Sequence, residues 1–395
     1  MAFAGLRGTG SFGTDERPTN FRELILWLNP NGSAPLFALL ARVRKESTDD
    51  PQFSGWYELL QNVRVAINYS TGYSTTATTL TIASGGLSLV AGDILQMEGT
   101  ETTTYANELS AVSSVTSDTV IVVKRGQFGT TPGELTDGQY ITKIGNAYME
   151  GASAPDISQR NPTKYYNYTQ IFRTAVGQTG TAEAAHYRTG DAWQNDKKRK
   201  AFDHSADIEW SFLYGVRSED TSGTYPKRTT GGLRSFLSTN VTIFGTTPTE
   251  DTFLDAVYKV WDYNSNGAGD ERIVLAGNGF LNSLNKLARN SSSTQVQFRD
   301  VIKLYGMSLQ RWILPQGTIG VKTHPLLNIH PRYTNAAFII DPTGLVYRPL
   351  RGRDTKFRDN IQANDADQRK GEWLTEAGLE VRQERTSGYI GNFVV

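Results

Sequence analysis

Residues able to do chemistry are few in this chain of 395, and their spacing argues against a reaction centre. Cysteine is absent, which removes disulfides and thiolate metal sites and suits a reducing compartment. There are four histidines. His186 and His204 fall on a predicted helix but on distant turns, not as the adjacent pair that a helical metal site uses; His324 and His330 flank a predicted strand. Each reads as a structural histidine, because a lone imidazole lacks the other members of a site. Asp191, Asp196, Asp203, Asp207 and Glu209 offer the material for paired-carboxylate catalysis. They are interspersed with Lys197, Lys198, Arg199 and Lys200, and so read as a solvated or interface helix face. Gly8-Thr9-Gly10-Ser11-Phe12-Gly13 has the letters of a dinucleotide fingerprint without the preceding strand or following helix that would place a pyrophosphate. It reads as a flexible arm. No nucleophile elbow, phosphate loop or zinc-protease motif occurs. We therefore assign no catalytic, cofactor-binding or metal-ligating residue.

Composition points to assembly instead. Hydrophobic residues make up only 38% while glycine reaches 38 positions, a mixture suited to strands, loops and arms rather than one large core. The 18 Tyr and 17 Phe supply interface area at low entropic cost. Lys plus Arg and Asp plus Glu balance at 40 each, so the basic excess of a dedicated nucleic-acid binder is missing. The single basic run, Lys197–Lys200, lacks interleaved aromatics; salt bridging or solvation explains it better than non-specific contact with DNA. There is no signal peptide and no stretch of membrane-spanning length, so the chain reads as a soluble product of the cytoplasm.

The elements follow from periodicity. Residues 1–18 read as an extended arm, followed by helices over Phe21–Leu28 and Leu36–Arg44. Val63, Val65 and Ile67 alternate as a strand. A Thr-rich block at 70–147 then carries short apolar runs separated by turns such as Gly85-Gly86 and Asp137-Gly138, which predicts a small inserted barrel or sandwich. Residues 181–215 predict a long helix with Asp196–Lys200 and Arg199–Asp203 pairs, weakened at Gly190. Beyond it come an amphipathic helix over Glu250–Asn264, a helix over Asn278–Ala288, and apolar strands including Arg272–Ala276, Ala336–Ile340 and Trp373–Gln383. The fold class is α+β with a detachable β insert.

Several phrases, in order, resemble the major head proteins of tailed bacteriophages with the Hong Kong 97 capsid fold. They are Ala34-Pro35-Leu36-Phe37-Ala38-Leu39-Leu40, Asp50-Pro51-Gln52-Phe53, Arg125-Gly126-Gln127-Phe128-Gly129-Thr130, and Asn167-Tyr168-Thr169-Gln170-Ile171-Phe172. Asp207-Ile208-Glu209, Leu213-Tyr214-Gly215, Thr230-Gly231-Gly232-Leu233, Asp341 to Arg348 and Gly378-Leu379-Glu380-Val381 complete the series. The resemblance implies an N-terminal arm at 1–55 and an extended loop at 56–180 carrying the insert. It places a spine helix and peripheral domain at 181–240, an axial domain at 241–340, and returning peripheral strands at 341–395. It implies a non-enzymatic shell subunit, made in the host bacterial cytoplasm and resident in the virion. Its partners would be itself in hexamers and pentamers, portal and scaffolding proteins, a cement protein, and packaged double-stranded DNA touched non-specifically, with no membrane.

Three other readings compete: an encapsulin-like nanocompartment, a β-rich tail or adhesion protein, and a hydrolase. Cross-linking between subunits is known in some members of this fold. Here Lys164, in the extended loop, is a conceivable donor, and it reads better as a solvated lysine. Further expectations are that no large N-terminal segment is removed during maturation, that neighbours order the arm, and that assembly needs neither metal nor redox chemistry. The insert is expected on the outer side of the shell, strengthening contact with an adjacent subunit.

Overall fold

In a computed structural model the chain is described at residues 36, 40, 44–58, 63–99, 107–159, 161–185, 190–263, 271–290, 301–304 and 307–395. The helix expected at Phe21–Leu28, the glycine-rich Gly8–Gly13 and His186 lie outside these residues. The chain divides into two compact units, one of residues 56–164 and one of residues 1–55 with 165–395. Strand β1 (Gln52–Tyr57) ends within the first two residues of the smaller unit.

The smaller unit is built from β2 (Arg64–Ala66), β3 (Thr79–Thr81), β4 (Asp93–Met97), β5 (Glu108–Ser117), β6 (Val120–Lys124) and β7 (Tyr140–Asn146). The sheet order is β2-β7-β4-β5-β6-β3. Its ends meet through an antiparallel bridge between Ile67 and Ile82, with the Asn68 amide donating to Thr81 O at 3.0 Å and Ala83 to Ala66 O at 2.9 Å. The sheet is therefore a closed barrel, which leaves no unpaired edge along that seam. Alternate residues point inward, as period two requires. Val63, Val65, Ile67, Leu80, Ile82, Leu95, Met97, Val112, Ile121, Val123 and Ile141 fill the interior. The barrel thus begins at Val63, earlier than the compositional shift near residue 70. Val63–Ile67 supplies one of its staves.

The larger unit holds two large sheets and a two-stranded ribbon. Strands β8 (Thr163–Tyr168) and β9 (Gln170–Thr179) lead to a short helix α1 (Gly180–Ala184) and then to α2 (Ala192–Tyr214). The single helix expected over 181–215 is two. Gly190 adopts φ 84°, a left-handed conformation that an L side chain avoids, and Asp191 caps a fresh start by accepting from the Gln194 amide at 3.2 Å. After α2 come the ribbon β10 (Ser218–Asp220) and β11 (Lys227–Thr229), the turn α3 (Leu233–Phe236), β12 (Val241–Ile243) and α4 (Glu250–Val257). Helix α4 gives way to a 3-10 turn at Tyr258–Trp261, so it is shorter than its amphipathic pattern predicts.

Strands β13 (Glu271–Ala276), β14 (Val301–Leu304), β15 (Met307–Leu314), β16 (Gly317–Thr323), β17 (Ala337–Ile340) and β21 (Gly388–Gly391) join β12 in a seven-stranded mixed sheet, with helix α5 at Asn278–Asn290. Both faces of its middle are buried. Ile273, Leu275, Phe338 and Ile340 enter the core beneath α2, while Val274, Ala276, Ala337 and Ile339 enter the core beneath α4 and α5. Strands buried on two sides read as unbroken apolar runs, which is why they are plain in the sequence. The second sheet centres on β20 (Gln368–Val381). Strands β18 (Leu345–Pro349) and β19 (Lys356–Arg358) pair with successive stretches of it, and β9 pairs with Gln368–Ala377.

Candidate functional site

The quoted phrases are far apart in sequence, yet many of them converge on one buried side chain. Asn167, 1% exposed, donates from Nδ2 to Thr230 Oγ1 at 3.1 Å, Gly231 O at 3.0 Å and Leu379 O at 2.6 Å. Its Oδ1 accepts from the Gly231 amide at 2.7 Å and the Tyr168 amide at 2.9 Å. Asparagine suits this geometry, because its short side-chain amide offers donors and an acceptor side by side. Around it the Thr230 amide donates to Gln170 Oε1 at 3.1 Å, and the Thr169 amide to Pro51 O at 2.8 Å. Gly232 donates to Gly215 O at 2.8 Å. A Cβ on Gly232 would lie 2.6 Å from Ser211 O and 2.8 Å from Gly215 N, so the turn closes only with glycine. The end of α2, the Thr230–Leu233 turn, β8, β9, β20 and the Asp50–Phe53 segment therefore meet in one node. Buried polar groups that are all paired rigidify and specify a junction.

A second device runs along β20. Glu372, Glu376 and Glu380 recur every fourth residue and so share one face of the strand, and each is nearly buried. Arg173 grips Glu372 at 2.6 Å, Arg353 pairs with Glu376, and Glu380 takes Arg348 and Arg382 Nε, the latter at 3.0 Å. Glu46 joins from the arm, 2.9 Å from Arg348 and 3.0 Å from Arg382. Burial alone would raise the Glu46 carboxyl; the guanidiniums of Arg348, Arg382 and Arg44 outweigh it and hold the group below its ordinary range. Tyr165 donates to Glu380 at 2.8 Å, and burial with that carboxylate pushes its hydroxyl up to about 12. The arm is fastened here as an added parallel strand: Glu46 donates to Tyr347 O at 3.1 Å and Thr48 to Pro349 O at 2.9 Å. From Leu36 onward, then, the described arm is held by its own chain as well as by anything a neighbour adds. Leu36 and Leu40 are buried in the core beneath α2.

The residues singled out for chemistry are dispersed through this framework. Glu209 is fully buried, not on the solvated or interface face expected for it together with the other acids of the helix. Its Oε1 accepts from the Leu36 amide at 2.7 Å and lies 2.6 Å from His324 Nε2, while His324 Nδ1 has no hydrogen-bond partner among the described residues. The pair ties arm, helix and β16 end together. His204 is clasped by Thr174 at 3.0 Å and Thr375 at 2.7 Å, which latches α2 to β9 and β20, and burial lowers its pKa. His330 lies against the Tyr333 ring, with centroids 4.6 Å apart and planes tilted by 33°. Asp191 is the helix cap described above. Asp196 pairs with Arg199 at 3.6 Å and Asp203 with Lys200 at 3.1 Å, three residues apart and not the predicted four. Burial raises the Asp207 carboxyl, helped by Asp203. Lys197 sits over the rings of Phe357 and Trp373 at 3.9 and 5.9 Å, and the Trp373 indole donates to Lys197 O. Lys164 lies exposed in β8.

In the barrel, sequence reasoning missed Glu108. Arg125 meets both of its oxygens at 2.6 Å, and the amides of Gly126 and Gly133 donate to it at 3.1 and 2.9 Å. The Arg-Gly-x-x-Gly-Thr phrase is thus an internal anchor that fixes the loop after β6. A carboxylate inside an alternating strand was the available signal. Among the described residues no group of three or more His, Asp or Glu is arranged to hold a metal. What these constellations do chemically is hold segments together.

The model of the family described as SU10 major capsid protein matches residues 8–393. The major capsid protein of Pseudomonas phage PaMx41 is 25% identical over 365 residues, covering 90% of this chain and 84% of that one. Among solved structures, that of Microbacterium phage Oxtober96 aligns over 96% of each chain at 10% identity and a TM-score of 0.46. The capsid of the Myoviridae phage XM1 aligns over 94% of this chain and 96% of its own, at 10% identity and 0.43. An encapsulin of Synechococcus elongatus covers 59% of this chain and 76% of its own, at 12% identity and 0.42.

Proposed function

The chain belongs to the SU10 major capsid protein family, and from that membership we propose how its parts build a phage head. It is a structural protein of the virion, a subunit of the head shell and not an enzyme. Family membership sets aside the nanocompartment, tail-protein and hydrolase readings.

Our reading is that the larger unit carries the Hong Kong 97-type arrangement. Helix α2 would be the spine, the sheet around β20 the peripheral domain, and the seven-stranded sheet with α4 and α5 the axial domain. The barrel would be an insertion in the extended loop, acting at the outer side of the shell. Subunits would close into hexamers and pentamers of an icosahedral shell around double-stranded DNA, with portal, scaffolding and cement proteins as further partners. Contact with DNA would be non-specific. The basic run adds little to it, since Lys197, Arg199 and Lys200 are engaged by aromatic rings or by aspartates of the same helix.

The observation that carries the structural half of this reading is the node at Asn167, where the phrases that resemble those of head proteins interlock physically. A junction of that kind transmits force between spine, sheet and loop without reacting. The test is negative-stain microscopy of the purified full chain, alone and with its phage's scaffolding protein. Uniform icosahedral particles are expected. Fibres, or only soluble monomers under both conditions, would overturn the hexamer-and-pentamer scheme.

A further inference from the structure

The ribbon between α2 and the Thr230–Leu233 turn is conspicuous for what it does not bury. Every residue from Val216 to Lys227 is exposed, Tyr225 at 84%. A two-stranded ribbon without a hydrophobic face is marginal in water, so something must hold it. Its base is held: Arg217 donates to Tyr166 O at 2.7 Å and stacks on that ring at 3.9 Å, while Thr229 Oγ1 donates to Val216 O at 2.7 Å. The strands themselves form a sheet of two, so among the described residues their outer edges carry no ladder partner. Exposed edges of this kind are templates for another chain.

The two edges differ in sign. Strand β10 reads Ser218-Glu219-Asp220 and β11 reads Lys227-Arg228-Thr229, in register so that Glu219 faces Arg228 and Asp220 faces Lys227. Arg228 Nε lies 2.7 Å from Glu219. Charge is thus balanced within the ribbon but polarised across it, acidic on one edge and basic on the other. Joining two ribbons about a two-fold axis would set acid beside acid or base beside base. Joining them head to tail sets acid beside base at every step, which is the heterologous contact from which rings close.

We propose that the acidic edge of β10 pairs, antiparallel, with the basic edge of β11 in the next copy of this chain around a capsomer. The proposal rests on the shell-forming reading above and adds a contact to it. Glu219 and Asp220 then lie between two basic strands, one from each copy, and the ribbons complete one another's ladders. Because Gly232 is bonded to Gly215 at the ribbon's base, each join is anchored directly to the Asn167 node.

The experiment uses the full chain with all four charges exchanged, E219K/D220K/K227E/R228E. Within one copy the cross-strand pairs survive with sign reversed, and neighbouring exchanged copies also match. The exchanged chain should assemble alone. Mixed with tagged wild-type chain, it should be excluded from wild-type shells, because every mixed junction sets like charges side by side. Free co-assembly, or a folded exchanged chain that forms no shells alone, would overturn the proposal. Hydrogen exchange on wild-type protein gives a readout independent of the variant folding: amides of 218–220 and 227–229 should gain protection from free subunit to shell, and unchanged exchange would overturn the pairing. Failure of the wild-type chain itself to form shells would instead count against the shell-forming reading.

Discussion

Replacing Asn167 with alanine removes the hub of the node. Three backbone groups lose a partner at once, the amides of Tyr168 and Gly231 and the carbonyl of Leu379, and the Gly231 carbonyl keeps only the 3.5 Å contact from Thr230 Oγ1. A buried group left unpaired costs about 1–3 kcal/mol, and a water entering the vacated space recovers part of it, so the net loss should be about 3–5 kcal/mol. For a unit of this size that corresponds to a fall in melting temperature of roughly 5–10 °C. Calorimetry on unassembled subunits is the assay, because the two compact units should unfold as separate transitions. Only the transition of the larger unit should move. Asn167→Asp gives a signed control: it keeps an acceptor for the two amides but aims a carboxylate oxygen at two carbonyls. Its loss should match or exceed that of alanine at neutral pH and shrink in acid as the carboxyl protonates. An alanine variant within about 1 kcal/mol of wild type would refute the hub argument, as would equal shifts of both transitions.

The remaining predictions concern the other devices. His204 has a folded pKa lowered by burial, so its contribution to stability is present above the unfolded value near 6.5 and lost as pH falls through the folded value; His204→Gln should flatten the dependence of melting temperature on pH between about 5 and 7. Arg125→Met leaves the buried Glu108 without its guanidinium and should cost the barrel transition about 3–5 kcal/mol, measured by urea unfolding, with the larger unit unaffected. Gly232→Ala drives a methyl into backbone atoms and should prevent recovery of folded subunits at 37 °C, checked by soluble yield and circular dichroism. Residues 63–146 expressed alone should melt cooperatively, whereas a fragment beginning at Gly72 lacks the stave Val63–Ile67 and should not.

What could be read from the sequence depended on how local the physics was. The barrel strands and the apolar strands β13 and β17 were legible because alternation or unbroken apolarity is a property of neighbouring residues. The barrel's true start was not, because Val63–Ile67 is assigned to it by pairing with β7 and by the Ile67–Ile82 seam, both distant in sequence. Gly190 announced the weak point of the long helix, though not that Asp191 would begin a new one. The phrases around Asn167, Thr230 and Leu379 were visible as phrases, but their reason lies in bonds between residues 63 and 212 positions apart. Glu209 was misread for the same cause. It was grouped with the charged residues earlier in the same helix, although Ile208 and Trp210 flank it, while its spatial neighbours are Leu36 and His324.

The long pairing of β9 with β20 has a consequence for the mechanics of a shell wall. Ten consecutive residue pairs, from Gln368 with Thr179 to Ala377 with Gln170, run antiparallel without interruption. Tension directed along these strands loads all the bridging hydrogen bonds together, in shear, so that they must fail almost at once. Tension across them would open the bonds one after another, as a zipper opens. The carboxylate–guanidinium rungs on the same strand resist sliding in register, since a slip of one residue would turn every glutamate to the opposite face. A wall built from such panels should therefore be anisotropic, stiff along the axis of β20 and compliant at right angles to it.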